Sequence, residues 1–382
     1  MTDTIEKSFF NIFNTKPEIR VRSPGRINLI GEHTDYNGGF VLPAAIDQSI
    51  YLALSTRSDS QIYLHALDLN ESHQFYQGSF VKTEKSWPNY ILGVLHQLEK
   101  NGSKWKGFNA VFSADLPVGA GLSSSAALEC GFLYGLNQLF HLDLKPQQIA
   151  LMGQAAENEF VGVNCGIMDQ FANIFGKKDQ VIKLDCATQN FELIPFHQNN
   201  FDLLLFDTGV KHSLAGSEYN ARRKECEAGV LALRELYPEI SSLRAAQIEQ
   251  LISVKEKISD KVYRRCKYVI EEIKRVNAAC QDLKENDFIN FGKKMYATHA
   301  GLKNDYEVSC AELDFLVEHT QHFNSVLGAR MMGGGFGGCT INLVEKNSSS
   351  GLIQSIEEDY FKTFSKKLQT YRVQISEGTH LI

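Results

Sequence analysis

The side chains best suited to chemistry are crowded into one glycine-bounded stretch near the start of the chain, residues 23–39, called here the N-terminal stretch. Glycines let a backbone turn tightly and approach a ligand closely. The short polar side chains between them offer donors and acceptors, which suits a small polyhydroxylated ligand. A solvated Asn-Gly turn explains only Asn37 and Gly38, so we interpret the stretch as a ligand site. The crowded side chains belong to Arg26, Glu32, His33, Thr34 and Asp35.

Residues 117–125, called here the phosphate loop, have the pattern of a glycine turn that opens a serine-rich helix. The backbone N–H groups at a helix N-terminus are unpaired and carry partial positive charge. Glycines let those groups face a phosphate, and serine hydroxyls can add donors or contact a metal ion. A serine-capped helix after a turn explains the loop equally well when it is considered alone. The G-x-x-x-x-G-K-[ST] pattern does not occur.

Two carboxylates, Glu157 and Asp169, lie around a predicted glycine-containing turn. A single Asp in such a turn is more often a cap than a catalyst. A carboxylate within reach of a hydroxyl can nevertheless accept its proton. A nearby arginine such as Arg26 would keep the carboxylate ionised and stabilise charge on a transferring phosphoryl group.

Alternating and helical apolar patterns predict the elements that position these side chains. The predicted strands are 19–22, 40–43, 50–55, 62–65, 107–115, 181–184, 191–194, 201–206, 329–332, 340–344 and 370–374. The predicted helices are 89–100, 122–140, 146–160, 217–236, 261–281, 286–302 and 350–367, with a helix or arm at 1–17. This mixture favours α+β domains.

Length and composition restrict the class of protein. A chain of 382 residues with 43% hydrophobic content predicts two globular domains. The net charge of -6 gives no indication of a nucleic-acid surface. The N-terminus lacks a signal-peptide core, no apolar run is long enough to span a bilayer, and the eight cysteines are scattered singly. We expect a cytoplasmic monomer with reduced thiols and no nucleic-acid or membrane partner.

Taken in order, these stretches resemble the motifs of galactokinases, within the wider GHMP family of small-molecule kinases. A glycine cluster at residues 331–340 resembles the third motif of the same family. The N-terminal stretch is specific to galactokinases and close relatives, whereas the later motifs are shared more widely. The resemblance implies a two-lobed α+β fold with mixed or antiparallel sheets and the active site in the cleft. The implied domains are residues 1–197 and 198–382.

The resemblance also implies roles for individual residues. Asp169 is the acidic active-site residue, either a base or a carboxylate that orients the hydroxyl, and Arg26 lies beside it. The implied sugar contacts are Glu32, His33, Thr34, Asp35, Gly166 and Tyr219. The implied nucleotide contacts are Gly119, Ala120, Gly121, Leu122, Ser123, Ser124, Ser125 and Trp87. Mg²⁺ is implied near Ser125 and Glu157, with ATP as co-substrate.

Some of these residues have a second explanation. Tyr219 equally fits the start of an amphipathic helix, and Trp87 fits a partly buried contact where a helix begins. Cys165 lies close to the implied site and is expected to be a packed thiol. Asn158 and Asn164 stand where many relatives have His and Pro, which concerns the scaffold of the loop more than the chemistry.

The implied reaction is the ATP-dependent conversion of α-D-galactose to galactose 1-phosphate, the first phosphorylation of galactose catabolism in the Leloir pathway. A kinase of a related sugar such as N-acetylgalactosamine is an alternative, because residues 32–37 argue against mevalonate but discriminate less well among sugars. A galactose and ATP sensor without turnover is the alternative from another class. The intact Arg26, Asp169 and Glu157 disfavour it. A nucleotide-binding domain of unknown chemistry is the third alternative.

Overall fold

The computed structural model describes residues 2–117, 119, 121–198, 200–210 and 215–382. Its strands are β1 Ile19–Asn28, β2 Phe40–Val41, β3 Pro43–Thr56, β4 Gln61–Ala66, β5 Glu71–Tyr76, β6 Phe108–Ala114, β7 Gln180–Asp185, β8 Phe191–Pro195, β9 Phe201–Asp207, β10 Val326–Met331, β11 Cys339–Glu345, β12 Gln369–Val373 and β13 His380–Leu381. Its α-helices are α1 Thr2–Phe13, α2 Ser86–Lys100, α3 Ser124–Phe140, α4 Pro146–Ala155, α5 Met168–Phe175, α6 Ala215–Leu236, α7 Ile248–Ser253, α8 Asp260–Lys284, α9 Phe288–Asn304, α10 Ala311–Thr320 and α11 Ser349–Phe364.

In the described part of the chain, the strands form three sheets. The first has the order β13-β1-β3-β6-β4-β5, and it is mixed because β4 pairs with β6 in parallel while its other pairs are antiparallel. The second, β10-β11-β9-β12, and the third, β2-β7-β8, are antiparallel. Helices packed on mixed and antiparallel sheets confirm the α+β class.

The predicted elements are present, but several differ from the prediction near the candidate site. Strand β1 continues to Asn28, so Arg26 lies on a strand and not in a loop. The helix predicted at 146–160 ends at Ala155 and is followed by a turn of π-helix, Ala156–Val161. Asp169 lies in the first turn of a helix and not in a glycine-bounded turn. Strand β3 is longer than its prediction because the polar pair at residues 47–48 interrupts the apolar pattern without ending the pairing.

Elements β5, α5, α7, α10 and β13 were not among the sequence predictions. Strand β5 is half exposed and polar, so it has little hydrophobic signal. Helix α5 is short, although Met168, Phe171 and Phe175 recur at helical spacing. In α10 the buried Leu313, Leu316 and Val317 also follow that spacing. Tertiary packing, more than length, stabilises such short helices.

The largest hydrophobic cluster joins the two halves of the sequence. It contains Phe132 and Leu136 from α3 together with Leu203 from β9 and Ile341 from β11. The last strand also returns to the first sheet, where Leu381 pairs with Val21. The boundary between residues 197 and 198 stays a prediction, because core and pairing both cross it.

Across the described ranges, no helix combines the length and the apolar content needed to cross a lipid bilayer.

Candidate active site

Side chains from both halves of the sequence surround one cavity of about 200 Å³. The N-terminal stretch, the π-helical turn, α5, α6 and the glycine cluster each contribute to its wall. Its lining residues are Arg26, Glu32, His33, Asp35, Glu157, Val163, Cys165, Gly166, Met168, Asp169, Tyr219, Gly333 and Gly334. The fold thus brings together side chains that the sequence spreads over some 300 positions.

Arg26 and Asp169 form a two-pronged ion pair in this cavity. Arg26 Nε donates to Asp169 Oδ1 at 2.8 Å, and Nη2 donates to Oδ2 at 3.0 Å. Paired, parallel hydrogen bonds of this kind fix the carboxylate plane as well as its distance. The arginine is largely buried, while the carboxylate keeps partial exposure toward the cavity. The carboxylate is thus oriented before any ligand arrives.

The phosphate loop runs directly beside this ion pair. Arg26 Nη1 donates to Gly121 O, and the Arg26 backbone N–H donates to Leu122 O at 3.1 Å. Ser123 Oγ donates to Asp169 Oδ2. A register shift in β1 between Pro24 and Arg26 lets the strand turn its arginine toward the loop. A phosphate held by the loop would therefore lie next to Asp169.

Glu157 faces the same cavity from the π-helical turn, a geometry often found at functional sites. Gln170 Nε2 donates to Glu157 Oε2 at 3.1 Å. Burial and, to a smaller extent, the Asp169 charge raise the pKa of Glu157 to about 7, while a hydrogen bond from Ser125 acts in the opposite direction. Ser125 and Glu157, predicted as metal ligands, are therefore neighbours.

Glu32 and His33 from the N-terminal stretch also line the cavity. Glu32 is buried and its Oε1 accepts from Arg330 Nη2 at 3.0 Å and from Gly333 N–H at 2.9 Å. His33 Nδ1 lies 2.8 Å from Tyr36 Oη, and burial lowers the pKa of His33 to about 4. The imidazole is therefore neutral near pH 7. A neutral imidazole suits a hydrogen bond with an uncharged hydroxyl.

Asp35 and Gly166 come together at the floor of the cavity. A Cβ on Gly166 would lie 1.8 Å from Asp35 Oδ2, so only glycine fits beside this carboxylate. Burial raises the pKa of Asp35 to about 7, and the charges on Asp169 and Glu32 contribute. Three acidic groups thus share a small volume.

Tyr219 closes the cavity from α6. Its ring centroid lies 5.4 Å from those of His33 and Tyr36. Burial raises the pKa of the Tyr219 hydroxyl, which therefore stays a neutral donor. The structure brings Tyr219 to the predicted sugar contacts, although its helix is amphipathic as the alternative explanation proposed.

Two predicted contacts lie elsewhere, and one lies outside the described residues. Thr34 is buried, with Oγ1 2.9 Å from Gly31 O and 2.7 Å from Phe40 O, so it holds the loop together and does not line the cavity. Trp87 packs in the core, and its indole N–H donates to Glu71 at 2.9 Å. Its contact with adenine stays a prediction. Ala120 is not among the described residues.

Family models match the chain in three segments. Residues 7–56 match the galactokinase galactose-binding signature, residues 89–177 the GHMP kinases N terminal domain, and residues 279–362 the GHMP kinases C terminal domain. A galactokinase from Roseiflexus sp. is 37% identical over 377 residues, which cover 99% of this chain and 96% of that protein. The chain belongs to the galactokinase family. A Thermotoga maritima galactokinase is 40% identical and covers 95% of this chain over its own full length.

Solved structures agree with the galactokinase family assignment. Lactococcus lactis galactokinase, crystallised with galactose, superposes with a TM-score of 0.95 at 33% identity and 99% coverage of both chains. Methanococcus jannaschii mevalonate kinase gives 0.65 at 20% identity, covering 94% of this chain and 98% of its own, which shows the shared fold alone. The GHMP fold expected from the sequence is confirmed. As a member of the galactokinase family, this enzyme is an ATP-dependent sugar kinase, and such kinases use ATP together with a divalent metal ion.

The chain's own residues fit such an ion beside the substrate phosphates. Glu157 offers a carboxylate next to Ser125, and burial together with the Asp169 charge raises its pKa, so a cation there would favour its ionised form. Among the described residues, no group of three or more His, Cys, Asp or Glu side chains could hold a metal by itself. Hard divalent cations bound through one or two carboxylates usually take their remaining ligands from phosphates and water. A divalent ion beside Glu157 would therefore take its remaining ligands from the nucleotide phosphates and water.

The sequence analysis did not identify Glu129, a buried acid close to the candidate active site. Glu129 is fully buried, with Gln170 Nε2 3.5 Å from its Oε2, and its Oε1 has no hydrogen-bond partner in the described residues. Burial raises its pKa well above the usual range, and the Glu157 charge adds to this. The available signal was a lone carboxyl among the apolar residues of α3.

Proposed function

We propose that this member of the galactokinase family transfers the γ-phosphate of ATP to the 1-hydroxyl of α-D-galactose, giving galactose 1-phosphate and ADP, the first committed phosphorylation of the Leloir pathway. The carrying observation is the Arg26–Asp169 pair, which lies in the sugar-sized cavity and contacts the phosphate loop through Gly121 and Ser123. A hydroxyl and a terminal phosphate brought there would be aligned for transfer. The galactose bound in the Lactococcus lactis structure supports this choice of sugar.

Asp169 and Arg26 are the proposed catalytic residues. The O1–P bond forms while the bond from the γ-phosphorus to the bridging oxygen of ADP breaks, and the O1 proton passes to Asp169. Asp169 Oδ1 accepts only from Arg26 among the described residues, so it has room for the hydrogen bond from the sugar hydroxyl. Phosphoryl transfer passes through a loose transition state in most analyses, so Asp169 first orients the hydroxyl and accepts its proton late in the reaction. Arg26 stabilises the transferring phosphoryl group.

The proposed sugar contacts are four side chains and one glycine backbone that line the cavity together with Asp169. Their carboxylates accept hydrogen bonds, and the neutral imidazole and phenol can donate or accept. A sugar with one hydroxyl inverted would leave a buried group unpaired, at a cost of about 1–3 kcal/mol. We assign these contacts to Glu32, His33, Asp35, Gly166 and Tyr219, with Thr34 supporting the loop.

The phosphate loop and the metal ligands form the nucleotide side of the site. We propose that Mg²⁺ is the divalent ion, held by Ser125 and Glu157, and that it offsets the charge of the ATP phosphates when bound. The backbone at the start of α3 presents N–H groups to these phosphates. The nucleotide contacts proposed here are Gly119, Ala120, Gly121, Leu122, Ser123, Ser124, Ser125 and Trp87.

We also propose a cytoplasmic monomer. Both walls of the cavity come from one chain, so catalysis needs no second copy. All eight cysteines are free thiols, which suits a reducing compartment. Light scattering at micromolar concentration tests the oligomeric state, and a dimer mass would contradict the proposal.

A sugar panel tests the proposed reaction. ADP release is followed with ATP and Mg²⁺ against galactose, glucose, N-acetylgalactosamine, arabinose and mevalonate, and the galactose product is identified as the 1-phosphate. Galactose should give the largest kcat/KM. A larger value for another acceptor would replace galactose in the proposal, and absence of turnover with binding intact would favour a sensor.

A further inference from the structure

Arg330 is a fully buried arginine whose donors point at the N-terminal stretch. It is buried near the end of β10, in the half of the sequence opposite to most of its partners. Its Nε donates to Leu29 O at 2.8 Å, and Nη2 donates to Asn28 O. Nη1 donates to Met331 O at 2.6 Å. Burying a guanidinium is costly unless it is both paired with an opposite charge and hydrogen-bonded. These backbone carbonyls supply hydrogen bonds but no negative charge.

Glu32 supplies the balancing charge. Arg330 Nη2 donates to Glu32 Oε1 at 3.0 Å, and the Gly333 N–H donates to the same oxygen at 2.9 Å. Tyr268 Oη donates to the backbone oxygen of Glu32 at 3.1 Å. Glu32 lines the cavity, so with Oε1 committed to the protein, Oε2 is the oxygen available to a ligand.

The turn that contacts Glu32 also lies against the phosphate loop. A Cβ on Gly121 would be 3.7 Å from Met332 O, so the start of the glycine cluster packs beside the loop. The same short turn donates its Gly333 N–H to Glu32. The glycine cluster, which the sequence associates with the nucleotide, is thus equally a neighbour of the proposed sugar site.

We propose that Arg330 is a positioning residue for sugar recognition, which fixes the Glu32 carboxylate so that one of its oxygens meets a defined sugar hydroxyl. This inference rests on the proposed function. The planar fork of arginine reaches the backbone of the N-terminal stretch and the carboxylate at the same time. Lysine keeps the charge but offers a single ammonium group that cannot reproduce this geometry. Arg330 therefore acts on the sugar through Glu32.

The test compares galactose with its 2-, 3-, 4- and 6-deoxy derivatives. Glu32→Gln first identifies the hydroxyl that Glu32 binds, as the one whose removal no longer lowers kcat/KM. Arg330→Lys should raise the galactose KM about tenfold, with the ATP KM and kcat changed about twofold or less, and should reduce discrimination at that same hydroxyl. Wild-type discrimination in Arg330→Lys, or an equal loss for all deoxy sugars, overturns the inference.

Arg244→Lys is the matched control. Arg244 also donates to the N-terminal stretch, at Gly38 O over 3.1 Å, but it pairs with Asp185 and not with Glu32. Its variant should keep the pattern of discrimination among deoxy sugars. The same change of pattern in both variants would indicate a general loosening of the stretch and would overturn the inference.

A second variant covers the case in which Arg330→Lys does not fold. Replacing both members of a buried pair by neutral groups is tolerated better than removing one, so Glu32→Gln/Arg330→Met is compared with Glu32→Gln alone. Adding Arg330→Met to Glu32→Gln should leave discrimination at the sugar hydroxyl that Glu32 binds unaltered, because both residues act through the same contact. Independent, additive losses overturn the inference. Wild-type galactose turnover is measured first, and its absence overturns the proposed function together with this inference.

Discussion

A Cβ on Gly166 would lie 1.8 Å from Asp35 Oδ2, so the backbone at Gly166 and the carboxylate of Asp35 leave no room for a side chain between them. The two residues are 131 positions apart, yet each constrains the other. This contact sets the shape of the floor on which the sugar is proposed to lie.

Gly166→Ala should therefore impair binding of the sugar more than binding of the nucleotide. The added methyl group forces Asp35 away from its position, and an unpaired buried hydroxyl costs about 1–3 kcal/mol. We expect the galactose KM to rise about tenfold or more, because about 1.4 kcal/mol corresponds to tenfold. Steady-state kinetics against Gly351→Ala, where a Cβ meets nothing within 4 Å, provides the comparison. An unchanged galactose KM would be inconsistent with the floor described.

Asp35 should make the stability of the ligand-free enzyme depend on pH. Its pKa in the folded protein is about 7, above the ordinary value of 3.8. The folded state therefore holds this proton more tightly, and the stabilisation is lost as the pH rises from about 4 through 7. Asp35→Asn should gain Tm relative to the wild type between pH 5 and 7.5.

Thermal unfolding across that range measures the difference between Asp35→Asn and the wild type. Asp59→Asn serves as the control, because arginine pairing lowers the pKa of the exposed Asp59 to about 2 and its charge is constant in this window. A difference in Tm between Asp35→Asn and the wild type that shrinks with rising pH would contradict a raised pKa for Asp35.

Glu157→Gln should weaken the binding of the metal ion. The substitution keeps the shape but removes the charge that a divalent cation needs. We expect kcat to fall about a hundredfold and the Mg²⁺ concentration for half-maximal activity to rise about tenfold, equivalent to about 1.4 kcal/mol in metal affinity. Chelation with EDTA should abolish wild-type turnover. Glu159→Gln, an exposed neighbour paired with Lys100, should behave like the wild type, and equal metal titrations for both variants would remove Glu157 from the metal site.

Glu129→Gln should be nearly neutral for folding, unlike Glu129→Ala. The raised pKa favours the protonated carboxyl, whose shape and charge glutamine imitates. Alanine leaves a cavity in a fully buried site, at a cost of about 2–4 kcal/mol for a side chain of this size. Denaturant unfolding of both variants measures this. A glutamine variant as unstable as the alanine variant would show that the ionised carboxylate is required.

The sequence alone predicted much of the site because its chemistry is concentrated in short motifs. Arg26, Glu32, His33 and Asp35 stand close together in the chain, and the structure finds them around one cavity with Asp169. Helix α3 and the strands around it follow apolar periodicity, which is a local property and can be read without a structure.

Long-range partners could not be predicted in the same way. Arg330 stands between the apolar Ala329 and Met331, and nothing local indicates that it pairs with Glu32 nearly 300 residues earlier. Thr34 is a residue type that often contacts ligands, but its hydroxyl hydrogen-bonds to backbone oxygens of its own loop. Which side of a polar loop faces a ligand depends on backbone geometry that residue types do not specify.

Asp169→Asn tests the central claim most directly, with Asp185→Asn as a control that breaks an arginine–carboxylate pair outside the cavity lining. Galactose affinity is measured by calorimetry and kcat by coupled ADP release. We expect kcat to be lowered about 10²–10⁴-fold, with galactose binding within about threefold of the wild type and the control near wild-type activity. Near wild-type turnover by Asp169→Asn would contradict a catalytic role for Asp169.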